Sequence, residues 1–171
     1  EFLDNLKVWA DTVGQGMCAD DTHLVQMIKA RNWDAAMRLL DGLNDDPDER
    51  LRLVCLKEGR GDGVLNGYLP LQLAIVHGAV DPLVEKLIDI FPDALKEFDP
   101  DGYLCVHLAL VHFRNYHKKR LYGLTFGDPI MQMLDAFPDA VSLPDRTNAR
   151  RNCLQLALCN HCPVGIVRYI A

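Results

Sequence analysis

The chain has 171 residues, of which 49% are hydrophobic and 25% charged, and its formal net charge at pH 7 is −6. This length and apolar content suffice for one hydrophobic core, so we expect a single domain over residues 1–171. The acidic balance argues against a nucleic-acid partner, and the lack of an apolar run of about 18 residues argues against a membrane partner.

The first part of the chain, residues 1–63, is predicted to form a helical cap. Its first helix is indicated by apolar residues spaced along one helical face: Phe2, Leu6, Trp9 and Val13. A helix pair is then predicted over Thr22–Lys29 and Trp33–Leu40, with Asn32 as the N-cap of the second helix and Gly42 past its end. We interpret this pair as a degenerate first repeat.

A further helix is predicted to open at Asp46-Pro47-Asp48-Glu49, because acidic residues suit the first turn, and to carry Lys57 in its last turn. Three of its side chains are expected to face inward: Leu51, Val54 and Cys55. The alternating glycines of residues 58–63 then predict a linker.

The rest of the chain contains an internal repeat. Gly67–His77 recurs as Gly102–His112 with seven of eleven positions identical and an offset of 35 residues. A third start lies at Asn152–Leu158, and Phe91-Pro92-Asp93-Ala94 recurs at 137–140. A period in the thirties predicts a stacked array of small units.

Each unit is predicted to be a helix pair. Leu71–Val76 is apolar all round, which indicates a buried helix, and Gly78 is expected to end it. Asp81 is the expected N-cap of a second helix, with Pro82 at its first position, and Pro92 is expected to end it. This second helix has one apolar stripe: Leu83, Val84, Leu87, Ile88 and Phe91. Pro129 and Pro163 occupy the role of Pro82 in the later units.

These residues resemble the ankyrin repeat. Leu69–Ala74, followed four residues later by Gly78, is similar to the signature T-P-L-H-x-A…G, and Leu104–Ala109 carries its histidine as His107. The signature threonine is absent from every copy. The resemblance implies an all-α fold, an ankyrin-like α-solenoid of helix-turn-helix repeats with an N-terminal helical cap. Its units would be 64–101, 102–148 with an insertion at 114–126, and 149–171, similar to divergent ankyrin-like arrays of unicellular eukaryotes, some of them secreted by parasites.

The insertion of the second unit has two interpretations. It is either a solvated extension of the buried helix or a second binding surface, since insertions in repeat proteins map to loops. Its basic cluster followed by spaced hydrophobic residues resembles the docking peptides that MAP kinases bind: Arg114, Lys118, Lys119, Arg120, Leu124 and Phe126.

The sequence gives little indication of catalysis. Ser142 lacks a glycine elbow, so a serine hydrolase is not expected. Cys105 with His107, and Cys159 with His161, are two residues apart on predicted helices and therefore point about 200° apart. We expect no enzyme and no cofactor.

The cysteines leave two alternatives open. Cys105 and Cys153 occupy one repeat position and are expected to be buried thiols, because that spacing is too long for a disulfide. The C-terminal group of Cys153, Cys159, His161 and Cys162 could bind zinc, or Cys159 could form a disulfide with Cys162, but no second C-x-x-C completes a zinc site.

We therefore predict a monomeric, non-enzymatic protein-protein interaction module that binds another protein, with no metal, through its turn tips, concave face and basic insertion. The predicted contact residues outside the insertion are Asn66, Tyr68, Asp99, Asp101, Tyr103, Arg146, Asn148 and Arg150. The alternatives are a secreted pathogen effector that binds a host protein such as a MAP kinase, and a metal- or redox-dependent protein. The start at Glu1 fits a secreted protein without its leader as well as a trimmed piece of a cytoplasmic one.

Overall fold

The structure, a computed structural model, describes residues 23–55, 57, 67–113 and 129–171. Within these residues there are nine α-helices and two 3-10 helices and no strand, so the all-α prediction is confirmed for them. None of the described helices combines the length and the apolar character that a membrane span requires. The predicted helix over Phe2–Val13 and the linker 58–63 lie outside the described residues.

The α-helices in chain order are α1 (His23–Lys29), α2 (Trp33–Gly42), α3 (Pro47–Cys55), α4 (Pro70–His77), α5 (Asp81–Ile90), α6 (Cys105–Val111), α7 (Pro129–Ala136), α8 (Cys153–Cys159) and α9 (Val164–Ile170). The 3-10 helices are η1 (Pro92–Lys96) and η2 (Pro138–Val141).

The helices pack as pairs and in two rows. The pairs are α1 with α2, α4 with α5, α6 with α7 and α8 with α9. The first helices of the pairs contact one another in the order α1, α4, α6, α8, and we call them the inner row. The second helices contact in the order α2, α5, α7, α9, the outer row, and α3 packs against α4 and α5.

The core lies between the rows, where the sequence pattern predicts it. In α4 every residue from Pro70 to Ile75 is buried, as expected of a helix that is apolar on all sides. In α5 the predicted stripe is buried at Leu83, Val84, Leu87 and Ile88. Val54 of α3 is also buried, and Leu51 and Cys55 pack against the core while partly exposed.

The turns inside three pairs share one geometry. A left-handed residue follows the inner helix in each: Arg31 (φ 56°), Gly78 (φ 72°) and His161 (φ 53°). The next residue then donates its N–H to the carbonyl five residues before it, from Asn32 to Met27, Ala79 to Ala74 and Cys162 to Ala157, at 2.8–2.9 Å. The pair α1–α2 therefore has the same turn as the repeated units, and Gly78 ends α4 as predicted.

Several predicted helix ends are confirmed and others are wrong. Asn32 caps α2, where its Oδ1 accepts the Ala35 N–H at 3.2 Å. Gly42 lies inside α2 rather than past its end, and Leu43 is the C-cap. Lys57 lies beyond α3, where its Nζ forms an ion pair with Glu97 at 3.5 Å instead of facing the helix terminus.

The start of the outer helices also differs from the prediction. Val80, not Asp81, is the N-cap of α5, because its carbonyl accepts the first helical N–H groups, those of Leu83 and Val84. Pro129 is buried in α7, whereas Pro82 is exposed. The burial pattern therefore aligns Pro129 with Leu83, one position later than the Asp-Pro motif suggests.

The left-handed turns generate a stability prediction. Gly78→Ala should lower the free energy of unfolding by about 1 kcal/mol, because a side chain in this conformation strains the backbone while its Cβ meets nothing within 4 Å. Arg31→Gly and His161→Gly should each raise it by a few tenths of a kcal/mol up to about 1 kcal/mol, since they remove that strain. Urea unfolding measures all three.

The control is Gly42→Ala, which also adds a Cβ with nothing within 4 Å but lies inside a helix. It should stabilise the protein by about 1 kcal/mol. Equal effects of alanine at residues 42 and 78 would contradict the assigned turn geometry.

Candidate functional site

A polar side chain near the start of an inner helix bridges two segments in each of two units. The Gln72 Oε1 accepts the Leu69 N–H at 2.8 Å, and its Nε2 donates to the Glu97 carbonyl at 3.1 Å. His107 does the same, with its Nδ1 3.3 Å from the Leu104 nitrogen and its Nε2 3.1 Å from the Leu143 carbonyl. Because Nδ1 accepts, the proton of the neutral ring lies on Nε2. We call Gln72 and His107 the bridging residues.

The bridging residues acquire their partners because the connecting segments repeat. Glu97 lies six residues after Phe91, and Leu143 lies six residues after Phe137. Each bridging residue thus satisfies the free N–H at the start of its own helix and a carbonyl of the segment that leads to the next inner helix. Burial lowers the pKa of His107, despite a carbonyl partner at Leu143, so its ring is favoured in the neutral form that this geometry needs.

The cysteines at one repeat position attach to the same segments. The Cys105 thiol donates to the Ala94 carbonyl at 3.4 Å, and the Cys153 thiol donates to the Ala140 carbonyl at 3.2 Å. Both are free and buried, as predicted. Burial raises the pKa of the Cys153 thiol to about 12 and raises that of Cys105 further, so neither is a thiolate nucleophile at neutral pH.

The bridging role can be tested at His107. His107→Leu should lower the free energy of unfolding by about 2 kcal/mol or more, because the Leu104 N–H and the Leu143 carbonyl both lose their partners in a buried site. His107→Gln should cost less than about 1 kcal/mol, since Gln72 makes the same two bonds one unit earlier. Urea unfolding compares the two variants with His23→Leu, a change at an exposed residue. A glutamine variant as unstable as the leucine variant would contradict the bridging role.

Two loops precede inner helices, and an aspartate shapes each of them. The Asp99 Oδ1 accepts the N–H groups of Asp101 and Tyr103 at 3.0 and 2.7 Å. The Asp145 Oδ1 accepts the Thr147 N–H at 3.1 Å. Each aspartate lies eight residues after the phenylalanine that ends an outer helix, and they are only 6% and 1% exposed. Asp99, predicted to contact a partner, is therefore buried inside its own loop and shapes the surface instead.

The two carboxyls differ in charge preference. Burial raises the pKa of Asp99, with a further rise from the nearby Asp101, and the backbone donors only partly offset this. Burial also favours the neutral form of Asp145, but hydrogen bonds from the Thr147 hydroxyl and the backbone of Thr147 and Arg151 outweigh it and lower the pKa of Asp145. The folded structure thus stabilises the anionic form of Asp145, whereas it makes the anionic form of Asp99 less favourable than in the unfolded chain.

This contrast predicts opposite pH dependences for Asp145→Asn and Asp99→Asn. A lowered folded-state pKa stabilises the fold above the unfolded value of about 3.9, and that stabilisation is lost as pH falls through the folded pKa. The cost of Asp145→Asn should therefore grow from pH 3 to pH 7 and reach about 1.5–3 kcal/mol. For a raised pKa the stabilisation is present below about 3.9 and is lost as pH rises, so the cost of Asp99→Asn should shrink over the same window. Denaturant unfolding at each pH measures both, and slopes of equal sign would contradict the assignment.

The two loops are joined to each other. The Arg146 N–H donates to the Gly102 carbonyl at 2.7 Å. Gly102 has φ 90°, and a Cβ there would lie 2.9 Å from the Arg146 Cβ, so only glycine permits this approach. The Arg146 guanidinium lies over the Phe98 ring, 3.7 Å from its centroid. Arg146 therefore spans both loops.

A tyrosine extends this connection toward the N-terminal side. The Tyr68 hydroxyl donates to the Asp101 carboxylate, so the segment before α4 contacts the loop before α6. Tyr103, at the repeat position of Tyr68, is half-buried. We call the row formed by Tyr68, Asp101, Arg146, Asn148 and Arg150 the loop edge.

The loop edge brings together most of the predicted contact residues outside the insertion. Asp101, Arg146, Asn148 and Arg150 are exposed, and Arg150 adopts φ 46°. Asn66 and the insertion residues Arg114–Phe126 lie outside the described residues. The exposed charged groups of the loop edge are therefore the guanidinium groups of Arg146 and Arg150 and the Asp101 carboxylate, which accepts the Tyr68 hydroxyl.

The zinc site considered from the sequence is not formed by the described part of the chain. There, no three histidine, cysteine or acidic side chains converge as metal ligands. Cys153 and Cys162 are buried, whereas Cys159 and His161 are exposed, and Cys159 and Cys162 do not form a disulfide with each other.

The structural roles of two pairs of residues were not predicted from the sequence. Asp99 and Asp145 share the register set by Phe91 and Phe137, but Asp99 was predicted to contact a partner and Asp145 was assigned no role. Gln72 and His107 also share a register, at positions 35 residues apart. The signal in both cases is the repeat register rather than the residue type.

Comparisons with protein-family models, with curated proteins and with solved structures found no match for this chain.

Proposed function

We propose that this chain is a non-enzymatic protein-binding module, an ankyrin-like solenoid that binds a partner protein through the loop edge. The inner row supports the solenoid part of the proposal, because its helices pack against one another in the sequential order α1, α4, α6, α8. The ankyrin-like character rests on the Leu69–Ala74 and Leu104–Ala109 motifs and on the left-handed Gly78 after the first of them.

The observation that carries the binding proposal is the continuity of the loop edge. Successive loops are joined by the Arg146 N–H to the Gly102 carbonyl and by Tyr68 to Asp101. Loops fixed in this way present their side chains without a large ordering cost on binding. Surfaces of this kind, in which connecting segments carry the contact residues, are the usual binding sites of rigid scaffolds.

The chemistry of the loop edge indicates an acidic partner surface. Arg146 and Arg150 are both exposed and lie four residues apart in one loop, and the Arg146 side chain lies over the Phe98 ring. Arginine is among the residues that contribute most to interface energies, and its planar group pairs with carboxylates in a bidentate way. Although the chain is acidic overall, the loop edge exposes two guanidinium groups and one carboxylate, so an acidic partner surface would be directed to its arginines.

A pair of matched double variants tests this function. Proteins captured by the wild-type chain are identified by mass spectrometry, and the direct partner is confirmed by reconstitution from purified components. Arg146→Ala with Arg150→Ala should then raise the Kd of that pair at least tenfold, because two guanidinium contacts are lost. Arg38→Ala with Arg168→Ala removes the same charge from exposed outer-row residues and should change the Kd less than threefold.

Isothermal titration calorimetry at two salt concentrations measures these affinities. The wild-type Kd should rise with salt more steeply than that of the loop-edge variant. Equal losses of affinity in the two double variants, or none in either, would contradict binding by the loop edge.

A further inference from the structure

The last inner helix, α8, leaves exposed a position that is buried in the two units before it. Ile75 of α4 and Leu110 of α6 are 1% and 0% exposed, and each lies on a helix that is packed by the following inner helix. Their equivalent in α8 is Leu158, which is 57% exposed. The burial of this position therefore depends on a helix that packs after it in the row.

Other positions on the same side of the last pair repeat this difference. In the inner row, Leu71 and Val106 are buried, whereas the equivalent Leu154 is half-buried. In the outer row, the left-handed turns align Val167 and Ala171 with buried residues of α5, yet Val167 is half-buried and Ala171 is exposed. The aligned residues of α5 are Val84 and Ile88.

The bridging position in α8 indicates which chemical group a following helix pair would supply. Gln155 lies where Gln72 and His107 lie, and its Oε1 accepts the Asn152 N–H at 3.1 Å in the same way. Gln72 and His107 are buried and extend to a carbonyl of the next connecting segment. Gln155 is exposed, and among the described residues no carbonyl accepts from its Nε2. The hydrogen bond to the Gln155 Oε1 is thus formed, whereas the hydrogen bond that its Nε2 could donate is not formed among the described residues.

We propose that Leu154, Gln155, Leu158, Val167 and Ala171, here called the end face, bind a further helix pair of the same kind. The connecting segment of that pair presents a backbone carbonyl to the Gln155 Nε2, and its inner helix covers Leu154 and Leu158. The inference rests on the stacking of the helix pairs and not on the loop edge.

The composition of the end face favours this occupant. It contains no charged side chain, and four of its five residues are apolar, so it does not match a nucleic acid or an anionic ligand. The equivalent positions of the preceding units also lack acidic, lysine and arginine side chains: Leu71, Gln72, Ile75, Val84 and Ile88 in α4 and α5, and Val106, His107 and Leu110 in α6. The α4–α6 and α6–α8 interfaces therefore indicate that the end face fits another inner helix.

The test extends the full chain with its own residues. A copy of residues 89–113 is added after Ala171, which takes the place of Ile88, so that the copied Glu97 carbonyl and the copied α6 meet the end face. The Tm should rise by about 4 °C or more, because apolar side chains of both surfaces become buried. A control extension carries the same 25 residues in scrambled order and should leave the Tm within about 1 °C of that of the 171-residue chain.

Two substitutions connect the gain to the end face. Leu158→Asp should change the Tm of the unextended chain by less than about 1 °C, since the side chain is exposed there, but should abolish the gain in the extended chain. Gln155→Met should lower the Tm more in the extended chain than in the unextended one, because only the extended chain completes the bridge.

Three results would overturn the proposal. One is a gain no larger than that of the scrambled extension, and another is a gain that survives Leu158→Asp. The third is a dimer of the unextended chain in light scattering that dissociates on Leu158→Asp, which would identify a second copy as the occupant. None of these results bears on the partner affinity of Arg146 and Arg150, so this proposal and the proposed function fail separately.

Discussion

One hydrogen-bonded bridge, made at Gln72 and repeated at His107, joins the start of an inner helix to the segment that leads to the next inner helix. A helix start leaves free N–H groups, and a connecting segment without regular structure leaves free carbonyls. In a stack of pairs both lie in the interior, where an unpaired group is costly. A single side chain that accepts from one and donates to the other removes both costs, and it can do so only when the next pair lies in register. The polar residue in the apolar helix therefore fixes the connecting segment against the start of that helix.

The loop edge depends on the same register. Once Glu97 and Leu143 are held by the bridging residues, the loops that follow them begin from fixed points. Asp99 and Asp145 then close these loops from the inside, and the left-handed Gly102 lets Arg146 approach from the next one. Buried acids shape both loops, the exposed arginines Arg146 and Arg150 lie on the second loop, and the first loop exposes Asp101. This separation of roles leaves the guanidinium groups of Arg146 and Arg150 available at the surface of an acidic protein.

The sequence predicted the helices well where their periodicity was strong. The all-apolar α4 and the single stripe of α5 follow from spacing alone, and Gly78 marks its turn because glycine enters the left-handed region at little cost. Helix ends were less predictable, since Val80 rather than Asp81 caps α5 and Pro129 occupies a buried position. The N-cap is the residue after which the backbone becomes helical, and packing can shift that point by a residue without a change in the sequence motif.

The site was only partly predictable for a related reason. The exposed residues Asp101, Arg146, Asn148 and Arg150 could be chosen because they lie in turns between repeats. The burial of Asp99 could not, because it results from backbone N–H groups of its own loop turning inward to the carboxylate. The link between Tyr68 and Asp101 joins two units 33 residues apart and depends on the stacking itself.

Hydrogen–deuterium exchange of the chain, free and bound to its reconstituted partner, tests the central claim most directly. The account predicts that binding slows exchange in the loops 97–104 and 143–152, while exchange in α2, α5 and α9 of the outer row is unchanged. Protection confined to the outer row, with both loops exchanging as they do in the free chain, would contradict it.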